Sequence, residues 1–393
     1  MADKLDFSDI FLDPGLPEPL YLQLAEQLHE RIRSHIGECC RLPSLRTLAD
    51  SVKCDRSTAA KAYAELERRK VAAYTSAYKF YAMPDARKSR SPFPNIGVII
   101  PRRFSDYIRI DDYNRFITSY IAGIIDRAAE KNISTLMLQL PPPDAPPEEV
   151  DDFLENIALR LDGTIHLGAR NYADDPPLKK LFNDNRIPQV MISATPGKNS
   201  NIGCVLTDIG PALKKLAASF MQNGIRETAL VMWLPMENLP GENPYVNYEA
   251  ASRCLRMKKI LNECGFSIAQ DHFLCNCSNY CNVYDTLAAL IRRRRLPEVL
   301  LCQNDQIAIW CIQALERQNI RVPQDISVVG CDNCSQAPWD ERLTTFALPF
   351  YELGSTAVDI IEDIRLKGAG ETELLRYLPA KLEMKETLVL KNQ

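Results

Sequence analysis

No stretch of about 18 consecutive apolar residues occurs in this 393-residue chain, so nothing in it reads as a membrane span. The opening segment MADKLDFSDIFLDPG is acidic and has no apolar export core, which points to a cytoplasmic protein without a membrane partner. Histidine is scarce, with four in all (His29, His35, His166 and His272), and none accompanies a recognisable nucleophile motif. There is no Gly-rich phosphate loop, and no Lys in the setting a pyridoxal-phosphate enzyme requires. These absences argue against an enzyme and against a bound cofactor. No internal repeat or low-complexity tract stands out.

What is present is the composition of a globular protein, 46% apolar and 25% charged, in a chain too long for one ordinary core. The 13 cysteines are an odd number scattered through helical and strand-like text, which suits reduced thiols. Charge is uneven. Residues 19–90 hold 14 Lys and Arg against 8 Asp and Glu, a net +6, whereas 1–18 are net −4 and 91–393 net −6. Only the first, basic unit is expected to meet a polyanion.

Leu20, Leu24, Leu28, Ile32 and Ile36 recur every fourth residue and predict a helix of about four turns with one apolar stripe. Pro43 and Ser44 open a second helix that buries Leu45, Leu48 and Val52. Asp55 caps a third, with Ala59, Ala62, Tyr63 and Leu66 inward. The β-prone AYTSAYKFYA after Val71 suits a hairpin. This is the outline of a winged helix-turn-helix over 1–82. The third helix would then lie in a major groove, with Arg56, Ser57, Thr58 and Lys61 on its free face and Arg46 one helix earlier near a phosphate. A merely solvated basic face is the plainer alternative. Residues 83–94, with prolines and mixed charge, read as a linker.

From 95 onward, continuous apolar runs alternate with helical text: NIGVIIP, STLMLQL, GTIHLG, PQVMIS, TALVMWL, EVLLCQ and ISVVGC. Such runs suit parallel strands buried on both faces, with room for two doubly wound lobes. Ligands of such sheets bind beyond the carboxyl ends of the strands. Asn304 and Asp305 follow EVLLCQ at such an end, where Asp305 could equally cap the next helix.

PLYLQLAEQLHERI, RLPSLRTLADSV and DRSTAAKAYAELE resemble the DNA-binding domain of the GntR family. The matching positions are Pro19, Leu20, Tyr21 and Gln23, then Arg41 to Ala49, then Arg56, Thr58, Lys61, Ala62, Tyr63, Leu66 and Glu67. The resemblance implies that Arg46, Arg56, Ser57, Thr58 and Lys61 contact DNA. Asp55 stands where Ser is usual and Ala60 where a basic residue is common. The Gly-rich basic wing is missing, leaving Lys79 as its one cation.

LPEVLLCQNDQIAIWCIQALERQNIRVPQDISVVGCDN and LTTFALPFYELGSTAVDII resemble the effector domain of the LacI family. The fold implied is multidomain: an N-terminal winged helix-turn-helix (α+β) before an α/β two-lobed periplasmic-binding-protein-like (type I) domain over 95–393. This GntR-type head on a LacI-type sensor is the arabinose-repressor arrangement. The resemblance makes Asp305 a ligand rather than a cap and gives Arg253 the place of the ligand-gripping Arg; Arg256 departs from it, standing where the family has Gly, and could crowd the site. An Asp and an Arg in one cleft suit a polyol. Trp233 and Phe104 could stack on a sugar, though each is as readily core; Arg102 is a weaker candidate. The first lobe is expected to comprise 95–207 with about 337–348.

These expectations describe a homodimeric, ligand-responsive repressor. Its partners are a near-palindromic double-stranded DNA operator and a small-molecule effector, most simply a sugar. The rival sensor is a metal or redox site at the cysteines of CNCSNYC (275–281), though the spacing matches no strong zinc pattern.

Overall fold

The computed structural model describes residues 10–34, 42–69, 71–75, 79–82, 94–100, 115–167, 175–184, 186–196, 202–234, 246–334 and 339–390. It divides into two compact units, Met1–Pro94 and Asn95–Gln393.

In the first unit, α1 (Leu20–Ser34), α2 (Leu45–Val52) and α3 (Arg56–Arg68) precede an antiparallel pair, β1 (Ala72–Thr75) and β2 (Lys79–Ala82). Both expected caps are made. Ser44 Oγ accepts from Thr47 N at 3.1 Å, and Asp55 Oδ1 accepts from Thr58 N at 2.9 Å. Leu24, Leu28, Leu48, Ala59, Ala62, Tyr63 and Leu66 form one buried cluster. The Tyr63 hydroxyl donates to Pro43 O at 2.9 Å, satisfying its one polar atom inside that core. Sequence pattern gave no sign of the clip formed by Gln23. Its amide accepts from Asp13 N and donates to Asp13 O and Glu18 O, holding the preceding segment on α1. Ile36, the Lys79 side chain and nearly all of the expected linker lie outside the described residues.

The second unit holds two six-stranded sheets. Its elements run β3 (Asn95–Ile100), α4 (Arg115–Glu130), β4 (Ser134–Gln139), α5 (Pro147–Arg160), β5 (Gly163–His166), α6 (Pro176–Asn183), β6 (Gln189–Ile192), β7 (Ala194–Pro196) and β8 (Gly203–Asp208). Next come α7 (Gly210–Gln222), β9 (Thr228–Val231), β10 (Val246–Tyr248), α8 (Glu249–Glu263), β11 (Phe273–Leu274), α9 (Tyr280–Arg292), β12 (Val299–Cys302) and α10 (Asp305–Glu316). The chain then continues through β13 (Ser327–Asp332), α11 (Trp339–Arg342), β14 (Thr345–Ala347), α12 (Phe350–Lys367), β15 (Leu375–Pro379) and β16 (Lys381–Glu383).

The first sheet is ordered β15-β8-β6-β5-β3-β4 and is parallel throughout; the second is β11-β9-β12-β13-β14-β16, with β16 antiparallel. All seven apolar runs are strands. One departs from the expected burial: STLMLQL forms β4, an edge strand whose residues are exposed or half-buried on both faces. The pattern cannot separate an edge from a centre when the edge itself is apolar.

The chain passes between the lobes three times, after β8, after β14, and between β15 and β16. The crossing residues Ile209, Leu348 and Ala380 are all buried in one apolar cluster that continues into both lobes. The expected lobe boundary is therefore corrected. Residues 339–347 belong to the second lobe, and 350–379 return to the first, because α12 packs along α4 and β15 pairs with β8. The α4–α12 crossing is close enough to demand glycine on each helix. A Cβ on Gly123 would drive into the Tyr351 carbonyl, and one on Gly354 into the Tyr120 carbonyl. A short pairing of β7 with β10, Ala194 opposite Tyr248, joins a first-lobe segment to the entry of α8.

Two stability predictions follow from packing. Gly354→Ala or Gly123→Ala forces the helices apart, and thermal or urea unfolding should show a loss of about 1–3 kcal/mol. His166 is buried between Gln189 and the Phe182 ring, and burial lowers its pKa from the usual 6.5 to about 4, against a smaller opposing effect of Gln189. Above pH 6.5 the ring is neutral in both states and contributes nothing. As pH falls toward 4, only the unfolded chain gains the proton, so stability drops across that window. Urea unfolding at pH 5 should give about 2 kcal/mol less from this group than at pH 7, and His166→Asn should remove that slope.

Candidate functional site

On the first unit, Arg56, Ser57 and Lys61 are exposed on α3 and Thr58 is half-buried beside them. Arg46 is exposed on α2, 3.9 Å from Asp50, a solvated pair that leaves the guanidinium available. The structure thus gathers the five expected DNA contacts on two adjacent helices. It also redirects two of them. The Ser57 hydroxyl donates to Asp55 Oδ1 at 2.6 Å and the Thr58 hydroxyl to Asp55 Oδ2 at 3.1 Å. These bonds, with the Thr58 amide, hold the Asp55 carboxyl at about 2. With their protons so placed, Ser57 and Thr58 present acceptor oxygens, which suit base amino groups rather than phosphates.

In the second unit, a polar cluster forms beyond the carboxyl ends of β12 and β13. Arg253, on α8 and 8% exposed, donates through Nη1 to Gln303 O and to Asp332 Oδ1, each at 2.7 Å. Gln303 Oε1 in turn accepts from Trp233 N at 3.0 Å. The Trp233 side chain is 43% exposed just past β9, so its indole is not core. Arg253 and Trp233 are thus both held by Gln303, near the carboxyl ends of β12 and β9.

Asn304 and Asp305 are held by contacts within the protein. Asn304 is the cap of α10, its Oδ1 accepting from Ile307 N at 2.9 Å. Asp305 is 4% exposed and turned into the sheet, accepting from the Thr345 hydroxyl at 2.6 Å and from Cys334 N at 2.8 Å. It ties α10 to β14 and to the loop after β13, and so fixes the neighbouring Asp332. Sequence reasoning missed Asp332. Its signal was a carboxylate closing the buried strand SVVGCD; its backbone φ of 118°, costly for any residue but glycine, was not legible. Arg256 does not crowd Arg253: its Nη2 donates to Thr207 O at 3.3 Å. Phe104 and Arg102 lie outside the described residues.

Of the cysteines of 275–281, Cys275 and Cys277 are turned to backbone carbonyls, while Cys281 is exposed. Cys277 Sγ donates to Leu274 O and Cys275 O at 3.9 and 3.8 Å, and burial raises its pKa, which opposes thiolate ligation. Among the described residues no cluster of three or more His, Cys, Asp or Glu is arranged to hold a metal.

Comparison with known proteins places this geometry. Residues 217–388 match the family model of the periplasmic binding protein-like domain. Catabolite control protein A of Staphylococcus aureus is 23% identical over 269 residues, covering 68% of this chain and 73% of that protein. The HTH-type transcriptional regulator RegA of Clostridium saccharobutylicum is 24% identical over 285 residues, 72% of this chain and 78% of that one. Among solved structures, the LacI-family regulator catabolite control protein A of Weissella paramesenteroides with bound sucrose superposes with a TM-score of 0.56 at 17% identity, over 76% of this chain and all of that one. These relatives are transcriptional regulators, not enzymes, and the second unit has their two-sheet α/β fold.

The Arg253–Asp332 pair gives a direct test. Arg253→Ala strands a carboxylate that is 16% exposed and should cost about 3–5 kcal/mol in urea unfolding; Arg253→Met with Asp332→Leu should recover most of that loss.

Proposed function

We propose that the chain is a cytoplasmic DNA-binding transcription regulator, a repressor, whose operator affinity is set by a sugar held between the lobes of its second unit. The observation that carries this is the arrangement at the carboxyl ends of β12 and β13. A guanidinium and a carboxylate face one another there, and Gln303, whose carbonyl holds the guanidinium, also holds the backbone of Trp233, whose side chain is exposed. A sugar hydroxyl donates to Asp332 and accepts from Arg253 at once, while the indole covers an apolar ring face. The bound sucrose of the Weissella relative supports the ligand class. Arg253, Asp332 and Trp233 are then the contacts, with Asn304 and Asp305 as their scaffold.

The organisation proposed is a head over 1–82, a linker over 83–94 and the sensor over 95–393. What favours a winged, GntR-type head is the hairpin β1–β2 directly after α3, together with the motif text through α2 and α3. A head of LacI type, as in the relatives, is the second reading. Arg56, Lys61 and Arg46 meet DNA, two heads spanning a near-palindrome. The dimer face assigned is the edge strand β4 with the adjoining α4, where Leu136, Met137 and Ile125 are 45%, 41% and 47% exposed. Ligand shifts the lobes toward closure in proportion to its differential affinity for that state.

A thermal-shift screen of the full chain against pentoses, hexoses, disaccharides and sugar phosphates tests the sensor. A sugar at a hundred times its dissociation constant adds about 2.7 kcal/mol, seen as a raised midpoint that Asp332→Asn and Trp233→Ala should abolish. If no sugar moves the midpoint while a divalent metal does, the cleft reading is wrong.

A further inference from the structure

The far end of the second lobe, at the amino ends of β9 and β12 and so opposite the cleft, carries a group of arginines that the proposed function leaves unused. Arg292, Arg293 and Arg294 close the end of α9, and Arg226 precedes β9; all four are exposed, and among the described residues none of them forms an ion pair. Two of the nearby carboxylates are committed within the protein. Asp271 holds Arg295 at 3.1 Å, and Glu298 Oε2 accepts the backbone N–H groups of Arg226 and Glu227. Folding has thus used Asp271 and Glu298 internally, and the four guanidiniums face water with Glu227, next to Arg226, as a further acid beside them.

The turn that displays them is rigid. Arg294 N donates to Ile291 O and Arg295 N to Leu290 O, both at 3.0 Å, closing the helix end, while His272 Nε2 donates to Arg295 O at 2.9 Å. Arg294 has φ of 54° there, the left-handed conformation that favours glycine. The corresponding turns after α7 and α8 use Gly224 and Gly265, and those after α4 and α10 use Asn132 and Asn319. One cation at a helix carboxyl end is explained by the helix dipole. Three in succession, the last on strained backbone, are not.

We propose that this surface docks a short acidic segment of a partner protein. Guanidinium forks match carboxylates geometrically, and a preorganised turn lowers the entropy lost on binding. The small extent of the group favours a short segment over duplex DNA. Residues 91–393 are net −6, so a long polyanion laid across this end would meet the acidic remainder of the domain. The inference does not depend on the ligand class or on the head type.

Fluorescence anisotropy of the full-length protein with a labelled oligoglutamate peptide at low salt tests it, with an arbitrary-sequence duplex as a second probe. The expected result is at least about tenfold weaker peptide binding by R292A/R293A/R294A, with duplex binding unchanged. Unchanged peptide binding, or a loss confined to the duplex, overturns the proposal. R294G separates binding from folding. It should raise the melting midpoint, by relieving the left-handed arginine, while weakening peptide binding. A lowered midpoint would show that the arginine serves the helix end alone, and the proposal would fall.

Discussion

A guanidinium taken out of water must be given partners, and the second lobe is arranged so that Arg253 has them. Its Nη1 reaches a backbone carbonyl and a carboxylate, and each of these is itself held. Gln303, which offers the carbonyl, uses its side chain to fix Trp233 N. Asp332, which offers the carboxylate, lies two residues before Cys334, whose amide is anchored by Asp305. The loops after three neighbouring strands, β9, β12 and β13, are thereby locked to one another through polar contacts that water cannot easily replace. A buried pair of this kind adds little net stability compared with apolar side chains. Its retention at the carboxyl end of the sheet is better explained by what it presents to a ligand.

The same loops are wired to the lobe crossings. Asp305 accepts from Thr345, the first residue of β14, and β14 runs directly into the crossing at Leu348. Arg256, one turn beyond Arg253 on α8, reaches Thr207 just before the crossing at Ile209. The entry to α8 is paired through β10 with β7 from the first lobe. Under the proposed function, a displacement of Arg253 or Asp332 is therefore not confined to the pocket. It pulls on two crossings and one strand pair, each a joint between lobes whose cores are too tightly packed to deform continuously. A change of lobe angle is the response available.

How far the sequence discloses this depends on the range of the interaction. Short-range signals survive well. Ser44 and Asp55 cap the helices they precede, the apolar stripes of α1 to α3 form one core, and the seven apolar runs are all strands. What the sequence does not disclose is set by distant contacts or by backbone conformation. Whether Asn304 or Asp305 faces the cleft depends on Thr345 and Cys334, forty and twenty-nine residues away. The return of 350–379 to the first lobe depends on Gly123 meeting α12, and nothing near either segment encodes that meeting. Asp332 was hidden because its backbone, not its neighbours in sequence, marks it as unusual.

Arginine serves three ends in this protein, and burial separates them. Arg253, desolvated and fully partnered, gives direction: its charge is spent on one carboxylate and one carbonyl, so only a ligand with matching donors and acceptors can compete. Arg69 and Arg127, half-buried in networks with Glu65 and Glu26 or with Asp359 and Glu130, knit helices together. Arg56 on the first unit and Arg292 to Arg294 on the second are exposed and, among the described residues, without such partners. Charge kept free at a surface does nothing for the fold that hydration would not do as well. Where a sequence keeps several such charges together, and sets one of them on strained backbone, the compensating anion belongs to another molecule. By that reasoning the chain has two electropositive faces of different kinds, one on a helix of the dimensions of a DNA groove and one on a rigid turn that fits a peptide.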